Sequence, residues 1–185
     1  MKNWRKQQRS RLLEQRATLA ADERSRIQHS VISNLRQLLQ HQTPATLGIY
    51  WPIKGELDCR GFAKELINSG WTVAVPVINN KTKMLDFSHW QPGMPMVQGT
   101  WNIPVPAHQH LLAPDMFLIP LLGFDSDNYR LGYGGGYYDR TLAVQAHRVT
   151  TVGVGIEQGR LETIFPQPYD IAMNMIVTEA GIQKT

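Results

Sequence analysis

One cysteine, Cys59, stands in the whole sequence, so an internal disulfide and a cysteine-based zinc cluster are both excluded. No apolar run approaches the ~20 residues that a membrane-spanning helix needs. The opening residues, M-K-N-W-R-K-Q-Q-R, are polar and basic with no apolar core behind them, which argues against a secretory signal. Internal repeats, low-complexity tracts and linker-like stretches are missing as well. His29 and His41 have no companion at metal-ligand spacing and read as surface residues. The phosphate-binding pattern G-x-x-x-x-G-K-[ST] is absent, and no G-x-G-x-x-G follows a first strand. These absences leave a cytoplasmic protein as the expectation.

The 185 residues, 42% hydrophobic and 18% charged, suit one soluble domain spanning 1–185, long enough to bury a core. A formal charge of +4 and a pI near 9.3 favour anionic partners without choosing among nucleic acid, nucleotide and polyanionic cofactor. Nucleic acid is not the expected partner, because no RNA-recognition motif and no lysine run interleaved with aromatics is present.

The densest chemistry lies between Gly123 and Arg140, G-F-D-S-D-N-Y-R-L-G-Y-G-G-G-Y-Y-D-R. An apolar run, Met116–Pro120, precedes it as a buried strand would, and Tyr138 through Ala146 has helical composition. Strand, glycine loop and helix start together make an anion site, since unpaired N–H groups and the helix dipole favour negative charge there. Glycines let the backbone approach a phosphate. Arg130 adds a planar donor fork, and Asp139 an oxygen ligand for the Mg²⁺ that travels with a nucleotide. A plain glycine-rich turn is the competing reading.

Taken in order, residues 2–19 predict a helix with one strongly basic side, Arg5, Arg9 and Arg16 falling four and seven apart on one face. A solvated basic face would look the same. Ile27, Val31, Leu35, Leu38 and Leu39 predict a second helix over Ala21–Leu39. Strands are expected at Thr46–Trp51, Thr72–Val77, Met84–Trp90, Met116–Pro120 and up to Ile156. Helices are expected over Arg60–Ser69, with Asp58 as cap, and from Tyr138 to about His147. Gln91–Pro114 reads as irregular, with W-N-I-P-V-P extended. The alternation implies an α/β fold with a mainly parallel sheet and helices on both faces, its ligands outside the carboxyl ends of the strands.

R-L-G-Y-G-G-G-Y-Y-D-R, with G-F-D before it, resembles the signature of the 5-formyltetrahydrofolate cyclo-ligase family. So do the N-terminal basic spacing and the terminal P-Y-D-I-A-M-N-M-I-V-T-E. The resemblance runs from Arg5 to Glu179. It implies a three-layer α/β/α sandwich similar to the sugar-phosphate isomerase and CoA-transferase type. ATP contacts would come from Arg5 and Arg9, with arginine where lysine is usual and Lys6 alongside, and from Arg130, Leu131, Gly132, Tyr133, Gly134, Gly135, Gly136, Tyr137 and Tyr138. Folate contacts would come from Trp51, Glu56, Tyr133, Gly134–Gly136 and Tyr137, where an aromatic could cover a pterin face and a carboxylate accept from its donor edge. Asp139 and Asp170 would hold Mg²⁺, and Arg130 and Asp139 would be catalytic. The chain departs from the family pattern at Tyr169, Asn174 and Val105, where histidine, aspartate and glutamate are usual.

The implied reaction closes a ring. 5-Formyltetrahydrofolate, with or without a polyglutamate tail, would react with ATP to give 5,10-methenyltetrahydrofolate, ADP and phosphate, on a monomer with no membrane partner. A phosphometabolite- or RNA-binding module on the same fold, and an isomerase or transferase relative, are the alternatives.

Overall fold

The computed structural model describes residues 2–145 and 149–184. It begins with helices α1 (Lys2–Ala17) and α2 (Ala21–Leu39). Ile27, Val31, Leu35 and Leu39 of α2 recur every four residues and are all buried, the single apolar stripe that a sheet-packing helix needs. The chain then forms β1 (Thr46–Gly48), α3 (Arg60–Asn68), β2 (Thr72–Asn79), β3 (Met84–His89), β4 (Leu111–Leu112) and β5 (Met116–Pro120). After these come α4 (Tyr137–Ala143), β6 (Thr150–Val154), β7 (Met175–Thr178) and β8 (Gly181–Lys184). Eight strands make one sheet in the order β8-β7-β6-β5-β1-β2-β3-β4. The five strands from β7 to β2 run parallel, and β3, β4 and β8 add antiparallel edges.

Side chains alternate across the sheet and build two cores. Met116 and Leu118 of β5 and Val73 and Val75 of β2 join α2 and α3 on one face. Phe117, Ile119 and Ala74 point the other way, where Tyr137, Tyr138 and Leu142 of α4 cover them. That is the expected α/β/α sandwich. Helix α1 lies apart from both faces, with Leu12 packed on Leu122, Leu131 and Ile164.

Strand order reverses between β1 and β5. From β1 the chain proceeds through β2 to β4 toward one edge, and from β5 through β6 to β8 toward the other. Loops leaving the carboxyl ends of such a divergent pair separate, and the crevice between them is where this class of sheet binds ligands.

Local boundaries differ from expectation for identifiable reasons. Strand β1 stops at Gly48 instead of Trp51, because Tyr50 turns into the core and donates its hydroxyl to Leu57 O at 2.6 Å. Cys59, not Asp58, stands at the N-cap of α3, although Asp58 Oδ1 accepts the N–H of Arg60 at 2.9 Å. The helix expected to reach His147 is seen as α4 to Ala143, and residues 146–148 lie outside the described residues. Within the proline-rich stretch Pro104–Pro106 is extended and pairs with Met96–Gln98, while Trp101 and Asn102 adopt positive φ. The final hairpin β7–β8 turns at Gly181, whose φ of 135° suits glycine.

Candidate active site

Beyond β5 the chain makes a short hairpin, Gly123–Phe124 with Arg130–Leu131, and enters the glycine loop. The loop is exposed at Tyr133, Gly134 and Gly135 and hands directly into α4. Gly134 has φ +92° and Gly136 φ +66°, both in the left-handed region that a side chain disfavours. A Cβ on Gly134 would also lie 3.2 Å from Cζ of Arg9. Leu131 is buried beneath the loop and supports it from the core side.

Arg9 reaches that loop from α1, and the whole basic side of α1 faces inward. Arg5 and Arg16 are buried and Arg9 half-buried, whereas Lys6 is exposed. Arg9 Nε donates to Gly132 O at 2.7 Å. Arg16 donates to Leu121 O at 2.6 Å and to the Tyr133 hydroxyl at 3.3 Å. Arg5 pairs with Asp170 at 2.8 Å, yet its Nε is buried without a hydrogen-bond partner. Burial, and then the neighbouring charge of Arg5, lower the pKa of Arg9. Removing guanidinium groups from water is costly unless an anion compensates. Of the three, only Arg5 has a carboxylate partner among the described residues, while Arg9 and Arg16 rest on backbone carbonyls and the Tyr133 hydroxyl.

Two carboxylates answer part of that charge. Asp139, in the first turn of α4, lies 3.0 Å from Arg130. Its Oδ1 accepts the N–H of Ile171 at 3.1 Å, and Arg130 donates to Ile171 O at 3.2 Å. Asp170, the preceding residue, takes Arg5 and the N–H of Gln167 at 2.7 Å. The four expected charges thus meet as two ion pairs joined through one backbone unit. Among the described residues no group of three or more histidine, cysteine or acidic side chains could hold a metal. Two carboxylates without a third fit Mg²⁺ delivered with a nucleotide, because that ion keeps waters and takes its remaining oxygens from phosphate. They would not make a protein-only cage.

Glu56 sits on the loop leaving β1 and meets the glycine loop across the β1–β5 crevice. Tyr133 donates to its Oε1 and Ile53 N–H to its Oε2, each at 2.9 Å. Burial raises the Glu56 pKa, and these two donors with Arg16 and Lys54 partly offset the rise. Lys54 lies over the Tyr133 ring, 5.4 Å from its centroid. Trp51 is placed differently: it packs edge-on against Trp90 at 6.0 Å with Arg60 over its ring at 4.7 Å. Tyr138 is partly buried beneath Arg130, and Tyr137 meets Arg140 and, edge-on at 5.3 Å, Trp101.

Two participants were not assigned from sequence. Arg16 had the right spacing, but nothing local marks an arginine as buried. Trp101 is 65% exposed and packs on the loop tyrosine, and its only advance signal is its place in W-N-I-P-V-P.

Comparison with known proteins follows this geometry. A family model described as the 5-formyltetrahydrofolate cyclo-ligase family matches residues 1–179. A 5-formyltetrahydrofolate cyclo-ligase of Haemophilus influenzae is 28% identical over 176 residues, covering 91% of this chain and 94% of that protein. The solved 5,10-methenyltetrahydrofolate synthetase of Aquifex aeolicus superposes with a TM-score of 0.83 at 27% identity, over 97% of this chain and 92% of the other. A Mycoplasma pneumoniae synthetase structure, at 24% identity and a TM-score of 0.79, shares the fold over 95% of this chain and 98% of its own.

Proposed function

This chain belongs to the 5-formyltetrahydrofolate cyclo-ligase family, and from that premise we propose that it converts 5-formyltetrahydrofolate to 5,10-methenyltetrahydrofolate with cleavage of ATP, Mg²⁺ accompanying the nucleotide. The observation that supports the ATP reading best is the inward arginine side of α1, with Arg9 bonded to the glycine loop.

A formamide carbon resists attack because the nitrogen lone pair is delocalised onto it. Transfer of the γ-phosphoryl group to the formyl oxygen breaks the bond to ADP and makes that oxygen a leaving group. N10 of the folate then bonds to the formyl carbon, loses its proton, and phosphate departs with the former formyl oxygen. No covalent enzyme intermediate is required, so the protein's task is placement and charge compensation. Arg130, Arg5 and Arg9 are suited to phosphate oxygens, and the glycine-loop backbone lets those oxygens approach closely. Glu56 would accept from the pterin's donor edge, and the loop tyrosines would cover its faces. When Mg²⁺ is bound it neutralises phosphate charge, and Asp139 and Asp170 would hold it. For both carboxylates to do so, Arg130 and Arg5 would exchange their present partners, Asp139 and Asp170, for phosphate oxygens.

The test follows the oxygen. With the formyl oxygen labelled with ¹⁸O, one turnover is expected to place the label in inorganic phosphate. Label retained in the folate or lost to water would rule out phosphorylation of that oxygen.

A further inference from the structure

The loop that carries Glu56 hangs from α2 by two side chains on one face of that helix. Arg24, half-buried, donates from Nη1 to Gly55 O at 2.9 Å and from Nη2 to Arg16 O at 2.7 Å. Gln28, four residues on, accepts the N–H of Asp58 at 2.9 Å and donates to Asp58 O. The backbone on either side of Glu56 and Leu57 is thereby fixed to α2.

Arg24 is rooted where a cation is disfavoured and reaches to where one is favoured. It is the fourth residue of α2, close to the positive end of that helix dipole. Its guanidinium lies instead on Arg16 O, a carbonyl in the last turn of α1, where positive charge is stabilised. The Glu56 loop is shaped for the same contact. Lys54 and Gly55 take φ of 46° and 73° in succession, and a Cβ on Gly55 would lie 2.8 Å from Nη1 of Arg24. A side chain at position 55 would therefore push the guanidinium off its carbonyl. Arg16 in turn donates to the Tyr133 hydroxyl, which donates to Glu56. Arg24, Arg16, Tyr133, Glu56 and Gly55 close a circuit that joins α1, the glycine loop and the loop after β1.

We propose that Arg24 is a positioning residue for the folate, holding the Glu56 carboxylate in register with the glycine loop and with α1. The proposal rests on the reading given above, in which Glu56 accepts from the pterin. Both terminal nitrogens of Arg24 are engaged by backbone carbonyls, so the guanidinium acts through the loop and not on the ligand. A binding group displaced by ~1 Å loses much of its effect, which makes such a tether matter. Helix α1 keeps other anchors without Arg24, among them Leu12 in its apolar cluster and Arg9 on Gly132.

A double-mutant cycle between Arg24→Ala and Glu56→Gln tests this, read as KM for 5-formyltetrahydrofolate at saturating Mg-ATP. ADP affinity is measured alongside by calorimetry without folate. In the wild-type background Arg24→Ala is expected to raise KM roughly tenfold, with kcat and ADP affinity each within about threefold. In the Glu56→Gln background the same change is expected to raise KM less than about threefold, because the group it positions is already impaired. Arg24→Lys keeps the charge without the planar fork and serves where the alanine variant folds poorly. It is expected to raise KM about threefold, and less in the Glu56→Gln background. An equal KM rise in both backgrounds would show that Arg24 acts independently of Glu56 and overturn the positioning role. A matching loss of ADP affinity would overturn it as well, by showing a general structural effect. Unchanged KM in Arg24→Ala would overturn it while the ring-closing reading stands. Wild-type protein without folate-dependent turnover would remove that reading and the positioning role with it.

Discussion

The hydroxyl of Tyr133 donates to Oε1 of Glu56 at 2.9 Å, bridging the loops that leave the divergent strands β5 and β1. Arg16 steadies that hydroxyl from α1, and Ile53 N–H holds the other carboxylate oxygen. Each Glu56 oxygen thus holds one donor and keeps a lone pair free for a further one.

Glu56→Gln is expected to impair folate use while leaving ATP binding, measured without folate, near wild type. The amide places an NH₂ group where the ligand also has donors, a mismatch costing ~1–3 kcal/mol. Steady-state kinetics for folate and calorimetry for ATP separate the two effects. Weakened ATP binding with unchanged folate use would move Glu56 to the nucleotide side.

pH dependence follows from the same group. Burial raises the Glu56 pKa above its ordinary value of 4.5, so a protonated fraction persists as pH rises past that value. Only the ionised form accepts at both oxygens, so folate affinity should improve as pH rises through the raised pKa and then level off. Tyr133→Phe removes a donor to the ionised form and should shift the profile to higher pH, with the alkaline plateau preserved. Profiles of KM for folate against pH check this, and a shift to lower pH would contradict it.

Arg130 is more than a charge on a loop. It is buried, paired with Asp139 and bonded to Ile171 O. Arg130→Ala would strand a carboxylate and is expected to destabilise the fold by ~3 kcal/mol as well as abolish turnover. Arg130→Lys keeps the charge without the fork. It should show a kcat loss of ~2 kcal/mol or more with a smaller change in thermal midpoint. Near-normal turnover of the lysine variant at saturating ATP would remove Arg130 from the chemistry.

Asp139→Asn should raise the Mg²⁺ concentration for half-maximal rate far more than it raises the folate requirement, because a hard cation prefers the charged oxygen. Asp170→Asn should act in the same direction. Unchanged metal dependence with weakened folate binding would remove the magnesium assignment.

The helix α2 was legible because its apolar residues recur at one interval, and the strand–glycine loop–helix unit because its signal is local. The orientation of α1 was not legible. Hydrophobic patterning assigns a row of arginines to solvent, whereas here Arg5 and Arg16 are buried together with Leu12. The Arg5–Asp170 pair joins residues 165 apart, and no periodicity announces such a contact. Nothing local sets Glu56 apart from other loop carboxylates, because its partner Tyr133 is 77 residues away. Geometry carried by sequence-local motifs could be read directly, whereas contacts assembled by the reversal of strand order required the fold.

The most direct measurement mixes the purified protein with Mg-ATP and 5-formyltetrahydrofolate and follows the near-ultraviolet band of the methenyl product together with ADP. Both are expected to rise in a one-to-one ratio, and neither when ATP or folate is omitted. Tight binding of both ligands with no methenyl band, or ADP release indifferent to folate, would contradict the ring-closing function.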